Sequence, residues 1–291
     1  MIDDIAGDPN QIVTGGFASV GRYAVIGHPV EQSLSPQLHT AWFRAAQLPG
    51  DYSKVDISPE DLIHRAPSLP FEFAGINITM PHKQTILGFV DRVDSNAESA
   101  GAANILYRDE KSAWTAGNTD GVGFLQALQE ATGEPTTGKD VVILGAGGAA
   151  RAIGAALATT GLASLVFINR NLEKARTVSA AVGGTAVAEL EPDVLQGLEV
   201  SVDLLVNTLP PAANLQLAAL DIDPLPGHAI VTDINYQQAH PTLLRRADSA
   251  GLLTLDGRGM FLWQAAISFQ CWTGVEPDMA LGRSVLRMPG R

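Results

Sequence analysis

Residues 145–150 read Gly-Ala-Gly-Gly-Ala-Ala, directly after the apolar run Val141-Val142-Ile143-Leu144 and directly before a segment of helical period. A strand, a glycine turn and a helix in that order admit few folds. The first glycine permits the tight turn, and the second lets the backbone approach a pyrophosphate. Ala150 keeps the helix close to the strand, while the helix N-terminus faces the anion. The motif predicts a Rossmann unit whose cofactor contacts come from Gly145, Ala146, Gly147, Gly148 and Ala149. Glycine turns also arise for packing alone, but the strand–turn–helix context favours the nucleotide.

The next expected strand, 164–169, decides which nucleotide. An NAD site wants a carboxylate at its end, to accept hydrogen bonds from the ribose hydroxyls. This strand ends in Asn169-Arg170, with Lys174 one helical turn further on. Two cations and no carboxylate suit a 2′-phosphate, so Asn169, Arg170 and Lys174 point to NADP. The competing reading of these residues is a solvated basic end of an element.

Around this unit, short Val- and Ile-rich runs alternate with longer segments of helical period, the pattern of an α/β fold with largely parallel sheets. Strands are expected over 22–27, 53–57, 73–79, 140–144, 164–169, 202–207, 229–234 and 252–255. Ser35 reads as a helix N-cap with Pro36 at the first helical position, and Ser58 as another cap. The segment 132–139 reads as a connector. The 291 residues allow roughly two domains of about 150 residues. The expected division is an extension over 1–20, a substrate-binding catalytic domain over 21–123 plus 258–291, and a Rossmann NADP-binding domain over 124–257. The apolar helical run 260–272 lies outside the Rossmann count and is expected to return to the first domain.

Composition narrows the function classes. Hydrophobic residues make up 46% and charged residues 17%, which excludes a disordered scaffold. A formal net charge of −12 argues against a nucleic-acid partner. The one cysteine, Cys271, cannot form an internal disulfide, and no Cys/His cluster suggests a metal. No signal peptide or membrane span is read. The expectation is a cytoplasmic protein, monomer or homodimer, acting on a small molecule without a metal.

Three polar segments then stand where a core strand or tight loop would normally be apolar: 27–36, 75–83, and 101–104 continuing to 117–121. Each is placed at a strand's C-terminal end, where open α/β sheets hold their ligands. Hydroxyls, amides, one ammonium and one carboxylate suit a small polyhydroxylated acid. The motifs S-x-S-P (Ser33 to Pro36), G-x-N-x-T-x-P-x-K (Gly75 to Lys83), G-A-x-N (Gly101 to Asn104) and G-N-T-D-G (Gly117 to Gly121) occur in that order. They continue with G-A-G-G-A-x-R-A (Gly145 to Ala152), N-R, and G-x-G-M-x-x-x-Q-A (Gly257 to Ala265). Across about residues 22–275 the chain resembles the shikimate dehydrogenase family. The resemblance implies NADPH-dependent, reversible reduction of 3-dehydroshikimate to shikimate, in the chorismate route to aromatic amino acids.

Position by position, the resemblance implies that Ser33, Ser35 and Tyr236 hold the substrate carboxylate. Asn77, Thr79, Asn104 and Gln264 are implied at the ring hydroxyls, Gly257 at the cofactor, and Lys83 with Asp120 as the catalytic pair. The chemistry needs such a pair, because hydride transfer to a ketone develops negative charge on oxygen that an ammonium can neutralise and protonate. Local readings compete: Asp120 could cap the helix that follows it, and Lys83 could be a surface lysine. The chain departs from the family pattern at Gln32, Thr40, Asn171, the 209–211 loop and Gln238. Two other functions stay open, an NAD-dependent quinate/shikimate dehydrogenase and a non-catalytic NADP- or substrate-binding regulator on the same fold.

Overall fold

The computed structural model describes residues 21–236 and 241–288, so the 1–20 extension and the departure at Gln238 lie outside the described residues. The first sheet is built from β1 (Gly21–Gly27), β2 (Gly50–Asp56), β3 (Gly75–Ile78), β4 (Arg92–Val93), β5 (Ile105–Arg108) and β6 (Trp114–Gly117). Its helices are α1 (Ser35–Ala45), α2 (Pro59–Arg65), α3 (Leu69–Glu72) and α4 (Ser95–Ala100). The strand order is β2-β1-β3-β5-β6-β4. Pairings with β1 and between β4 and β6 are parallel, whereas β5 runs antiparallel to both β3 and β6. The β5–β6 hairpin is not among the expected strands. All of its strand residues except Arg108 are buried, so they show none of the apolar–polar alternation that marks a half-exposed strand.

Helix α5 (Asp120–Thr132) leads through the connector into a second sheet. This contains β7 (Asp140–Leu144), α6 (Gly148–Ala158), β8 (Ser164–Asn169), α7 (Leu172–Val182), β9 (Ala186–Glu189), β10 (Leu204–Asn207), α8 (Asn214–Ala219), β11 (Ile230–Asp233), α9 (Thr242–Ser249) and β12 (Leu253–Asp256). All five pairings of the order β12-β11-β10-β7-β8-β9 are parallel. That is the doubly wound order, with its switch point between β7 and β10. Val142 and Leu144 pack into one core layer and Val141 and Ile143 into the other. A strand covered on both faces therefore appears in the sequence as an unbroken apolar run.

The chain ends with α10 (Arg258–Thr273) and α11 (Met279–Val285). Phe261, Leu262, Ala265, Phe269 and Trp272 of α10 share a core with Tyr23, Val25, Leu38 and Phe43. The C-terminal segment thus returns to the first sheet, as expected. Met260 packs instead with Phe124 and Leu128 of α5 against the second sheet. Both helices therefore tie the two sheets together, and the expected 123/124 division falls inside one continuous helix.

Two local details differ from the sequence reading. Ser35 is already helical, and Leu34 occupies the cap position without a side-chain capping bond. The Ser33 hydroxyl instead accepts from the Ser35 N–H at 3.3 Å, which frees the Ser35 hydroxyl from a capping role. Asp120 does not cap α5 either, since both of its carboxylate oxygens are engaged elsewhere. Ser58 does cap α2, accepting from the Asp61 N–H at 3.2 Å. Among the described residues no helix is long and apolar enough to cross a membrane.

Helix α5 meets α6 at Gly121, where an added Cβ would fall against the Ala152 carbonyl and 2.7 Å from Ala156 Cβ. Backbone cannot yield as a side chain can, and overpacking of this kind costs about 1–3 kcal/mol. Gly121→Ala is expected to lower the unfolding free energy in urea by that amount, through a lower midpoint at unchanged m-value. An unchanged midpoint would show that the two helices do not approach so closely.

Candidate active site

The C-terminal ends of both sheets open onto one cleft of about 1000 Å³. Every residue singled out from the sequence lines it: the nine of the substrate and catalytic set, and the nine of the nucleotide set. The reason is topological. In the first sheet β1 lies between β2 and β3, so the loops after β1 and β3, carrying Ser33 and Lys83, emerge side by side. In the second sheet the loops after β7 and β10 do the same.

Lys83 follows β3 and Asp120 opens α5 after β6. The Lys83 ammonium donates to Asp120 Oδ2 at 2.5 Å, and the two side chains are only 17% and 7% exposed. The other carboxylate oxygen accepts from Asn104 Nδ2 at 2.8 Å. Asn104 in turn is clamped to Thr119, accepting from its N–H at 2.8 Å and donating to its hydroxyl at 2.9 Å. The Asn118 amide holds the same two segments together, donating to the Ala102 carbonyl at 2.7 Å and accepting from the Asp120 N–H at 3.0 Å. Asp120 is thus fixed by neutral groups and presented to a single cation. The aliphatic stem of Lys83 lies beside Gly148, the first residue of α6. The ion pair therefore sits at the seam between the polar wall and the glycine turn.

The polar wall continues away from the pair. The hydroxyls of Ser33 and Ser35 are 3.2 Å apart at the N-terminus of α1, where free backbone N–H groups favour an anion. Asn77 and Thr79 lie at the end of β3, and Gln264 projects from α10, accepting from Asn104 Nδ2 at 3.3 Å. Tyr236 lies against the Phe261 ring with centroids 4.3 Å apart. Beneath these loops, Asp233 is 1% exposed. It accepts from Asn207 Nδ2 at 2.8 Å and from Asn235 Nδ2 at 2.7 Å. Burial raises its carboxyl pKa from the ordinary value, against the lowering effect of the hydrogen bonds from Asn235 and Asn207. These bonds tie the ends of β10 and β11 to each other and set the course of both loops that follow.

At the nucleotide end Gly145 has φ +116°, a conformation that only glycine adopts readily. Its absent Cβ would also meet the Thr208 hydroxyl. Gly147 has open space where a Cβ would stand, so packing alone does not call for glycine there. A backbone-hugging phosphate would. Arg170 and Lys174 enter no ion pair among the described residues. Asn171, which departs from the family pattern, caps α7 by accepting from the Lys174 N–H at 3.0 Å.

The sequence reading missed Arg151. It lies in the first turn of α6 and lines the same cleft. Its buried Nε has no hydrogen-bond partner, an arrangement that is costly without an anion nearby. The signal was present as the arginine of the glycine motif itself. An open cradle at Gly147 and an unpartnered guanidinium nitrogen beside it fit a phosphorylated dinucleotide.

The chain matches known proteins over most of its length. The shikimate dehydrogenase substrate binding domain family matches residues 25–106, the shikimate / quinate 5-dehydrogenase family 127–208, and the shikimate 5′-dehydrogenase C-terminal domain family 257–287. The shikimate dehydrogenase (NADP(+)) of Bacillus licheniformis is 36% identical over 91% of this chain and 95% of its own length. That of Methanococcus maripaludis is 36% identical over 88% of this chain and 92% of its own length. The crystal structure of shikimate 5-dehydrogenase from Thermus thermophilus, in complex with NADP(H) and shikimate, superposes with a TM-score of 0.79. It is 32% identical, covering 91% of this chain and 98% of that one.

Proposed function

This chain belongs to the shikimate dehydrogenase family, and from that premise we propose that it interconverts 3-dehydroshikimate and shikimate with NADP(H). The observation that carries the reading is the Lys83–Asp120 pair at 2.5 Å, half-enclosed between a wall of neutral donors and acceptors and a glycine turn. Bound NADPH supplies the hydride to the ketone carbon. The protein's own work is then to place the ring, receive the charge on the ketone oxygen and deliver one proton.

Lys83 carries that proton. Its ammonium hydrogen-bonds the carbonyl oxygen, stabilises the negative charge that develops there and transfers a proton to form the hydroxyl. In the oxidative direction the neutral amine takes the hydroxyl proton. Asp120 keeps the lysine aimed and accepts from the neighbouring ring hydroxyl. Ser33, Ser35 and Tyr236 bind the carboxylate, and Asn77, Thr79, Asn104 and Gln264 bind the remaining hydroxyls. On the opposite side Gly145 to Ala149 carry the pyrophosphate, with Gly257 lining the cofactor's path. Asn169, Arg170 and Lys174 bind the 2′-phosphate, and Arg151 adds a cation to the phosphate end. In this reading residues 21–123 with 258–291 hold the substrate, joined by Tyr236 from the unit 124–257 that holds the nucleotide. One chain supplies every group, so a monomer or a homodimer serves equally, and a cytoplasmic setting accords with a single, buried cysteine.

The product belongs to the chorismate route to aromatic amino acids. A two-by-two assay of NADP+ and NAD+ against shikimate and quinate tests the reading, with the NADP+/shikimate pair expected to give the highest kcat/KM. Preference for NAD+ and quinate would install the other dehydrogenase of this family. No turnover with any pair would leave a binding protein. In the same assay Lys83→Ala is expected to cut kcat by about 10²–10⁴-fold, the usual worth of general acid–base help, with KM for NADP+ nearly unchanged. Near-wild-type turnover would remove Lys83 from its role.

Gly147→Ala separates fold from binding. Its Cβ enters open space, so Tm is expected to stay within about 2 °C, below the shift that 1 kcal/mol produces. KM for NADP+ should rise about tenfold or more, because the methyl stands where the pyrophosphate approaches. A wild-type KM would mean that the nucleotide lies elsewhere.

A further inference from the structure

Tyr52 lies behind the substrate wall and does not line the cleft. It is the third residue of β2, paired in register with Tyr23 of β1, and it is 5% exposed. Its ring stacks on His39 with centroids 4.5 Å apart and planes within 3°. His39 is fully buried with neither ring nitrogen partnered. Burial lowers its pKa to about 3, so it is a neutral plate that fixes the tyrosine ring.

The Tyr52 hydroxyl donates to Asn77 Oδ1 at 2.7 Å. Asn77 Nδ2 donates to the Asn104 carbonyl at 3.2 Å and to the Ser268 hydroxyl at 3.1 Å. A side-chain amide has two N–H donors and two lone pairs on oxygen. Both donors and one lone pair are therefore used inside the protein, and one lone pair of Oδ1 is left for the cleft. Burial pushes the Tyr52 hydroxyl well above its ordinary range, with hydrogen bonding to Ser35 only partly offsetting it. The group thus stays a donor at any working pH. Its neighbours Ser35 and Asn77 belong to the two ends of the polar wall.

We infer that Tyr52 is a positioning residue for the reaction, holding the oxygen end of the Asn77 amide so that Asn77 meets a substrate hydroxyl as an acceptor. The inference rests on the shikimate reading of the cleft. It deepens that reading by naming the polarity of one contact and the buried group that sets it. Ser268 holds the nitrogen end from α10, so the C-terminal return of the chain takes part in the same alignment.

The test is a double-mutant cycle in shikimate oxidation, because a residue that acts through another loses its effect when the other is gone. Tyr52→Phe keeps the ring and its stack on His39. It is expected to raise KM for shikimate about tenfold, with kcat and KM for NADP+ within about twofold of wild type. In an Asn77→Ala background the added Tyr52→Phe should change kcat/KM by less than about twofold. Asn77→Ser serves as the background if Asn77→Ala does not fold. A tyrosine that only filled the core would lower Tm and leave KM for shikimate alone. A shikimate KM within about twofold of wild type, or effects that multiply in the double variant, would overturn the inference and leave the dehydrogenase reading standing. A wild-type protein that neither binds nor oxidises shikimate would overturn both.

Discussion

The close contact between α5 and α6 governs this molecule. Gly121 admits the Ala152 backbone where any side chain would keep the helices apart, and the residue before it is Asp120. The carboxylate paired with Lys83, on the first sheet's side, is thereby set at the edge of the glycine turn on the second. Ala100, Ala102 and Ala152 fill the same seam with small side chains. The pair with Lys83 depends on that approach, since the lysine stem rests beside Gly148 of the opposing unit. A cleft between two sheets can deliver hydride on one side and a proton on the other only if the seam is this narrow.

Within the seam, neutral groups do most of the positioning. The Asp120 carboxylate accepts from one cation and from the Asn104 amide, while its backbone N–H donates to the Asn118 amide oxygen. The Asn104 amide N–H groups are shared among Thr119, Asp120 and Gln264. Networks of this kind are rigid because each lost bond strands a buried partner, at about 1–3 kcal/mol. Asp233 plays the corresponding part beneath the β10 and β11 loops, as a buried carboxylate bonded by asparagine side chains. The site is thus held from below by uncharged bonds, and charge is kept for the atoms that meet ligand.

Such a design determines which parts could be read without coordinates. The glycine turn was legible because its place between a strand and a helix is fixed by the fold, whereas Lys83 and Asp120 were picked out only through motifs shared with the family, and the structure brings both to the cleft. β7 and β8 were legible at their observed bounds because a strand buried on both faces is an unbroken apolar run. β5 and β6 were not, since Arg108 in the one and Thr115 and Gly117 in the other interrupt the apolar run. The C-terminal return was legible from α10, whose apolar residues could not all be exposed. Tyr52, His39 and Asp233 were not, because a group acting from behind the wall leaves no local motif. Ser35 was misread as a cap by one residue, since a serine before proline looks the same whether it or its neighbour begins the helix.

Electrostatics closes the account of how an acidic chain can hold two anions. With a net charge of −12, the field of the whole molecule repels both a carboxylate and a triply phosphorylated nucleotide. Beyond about 8 Å at physiological ionic strength that field is screened, so the near groups decide. Arg65, Arg92 and Arg283 are neutralised by carboxylate partners elsewhere on the surface. Arg151, Arg170 and Lys174 enter no ion pair among the described residues, and all three line the cleft. The end of the cleft proposed for the substrate carboxylate offers instead the N-terminus of α1 and the hydroxyls of Ser33, Ser35 and Tyr236. Affinity for the nucleotide should therefore respond to salt more steeply than affinity for the ring acid, because only the former is held by full charges near solvent.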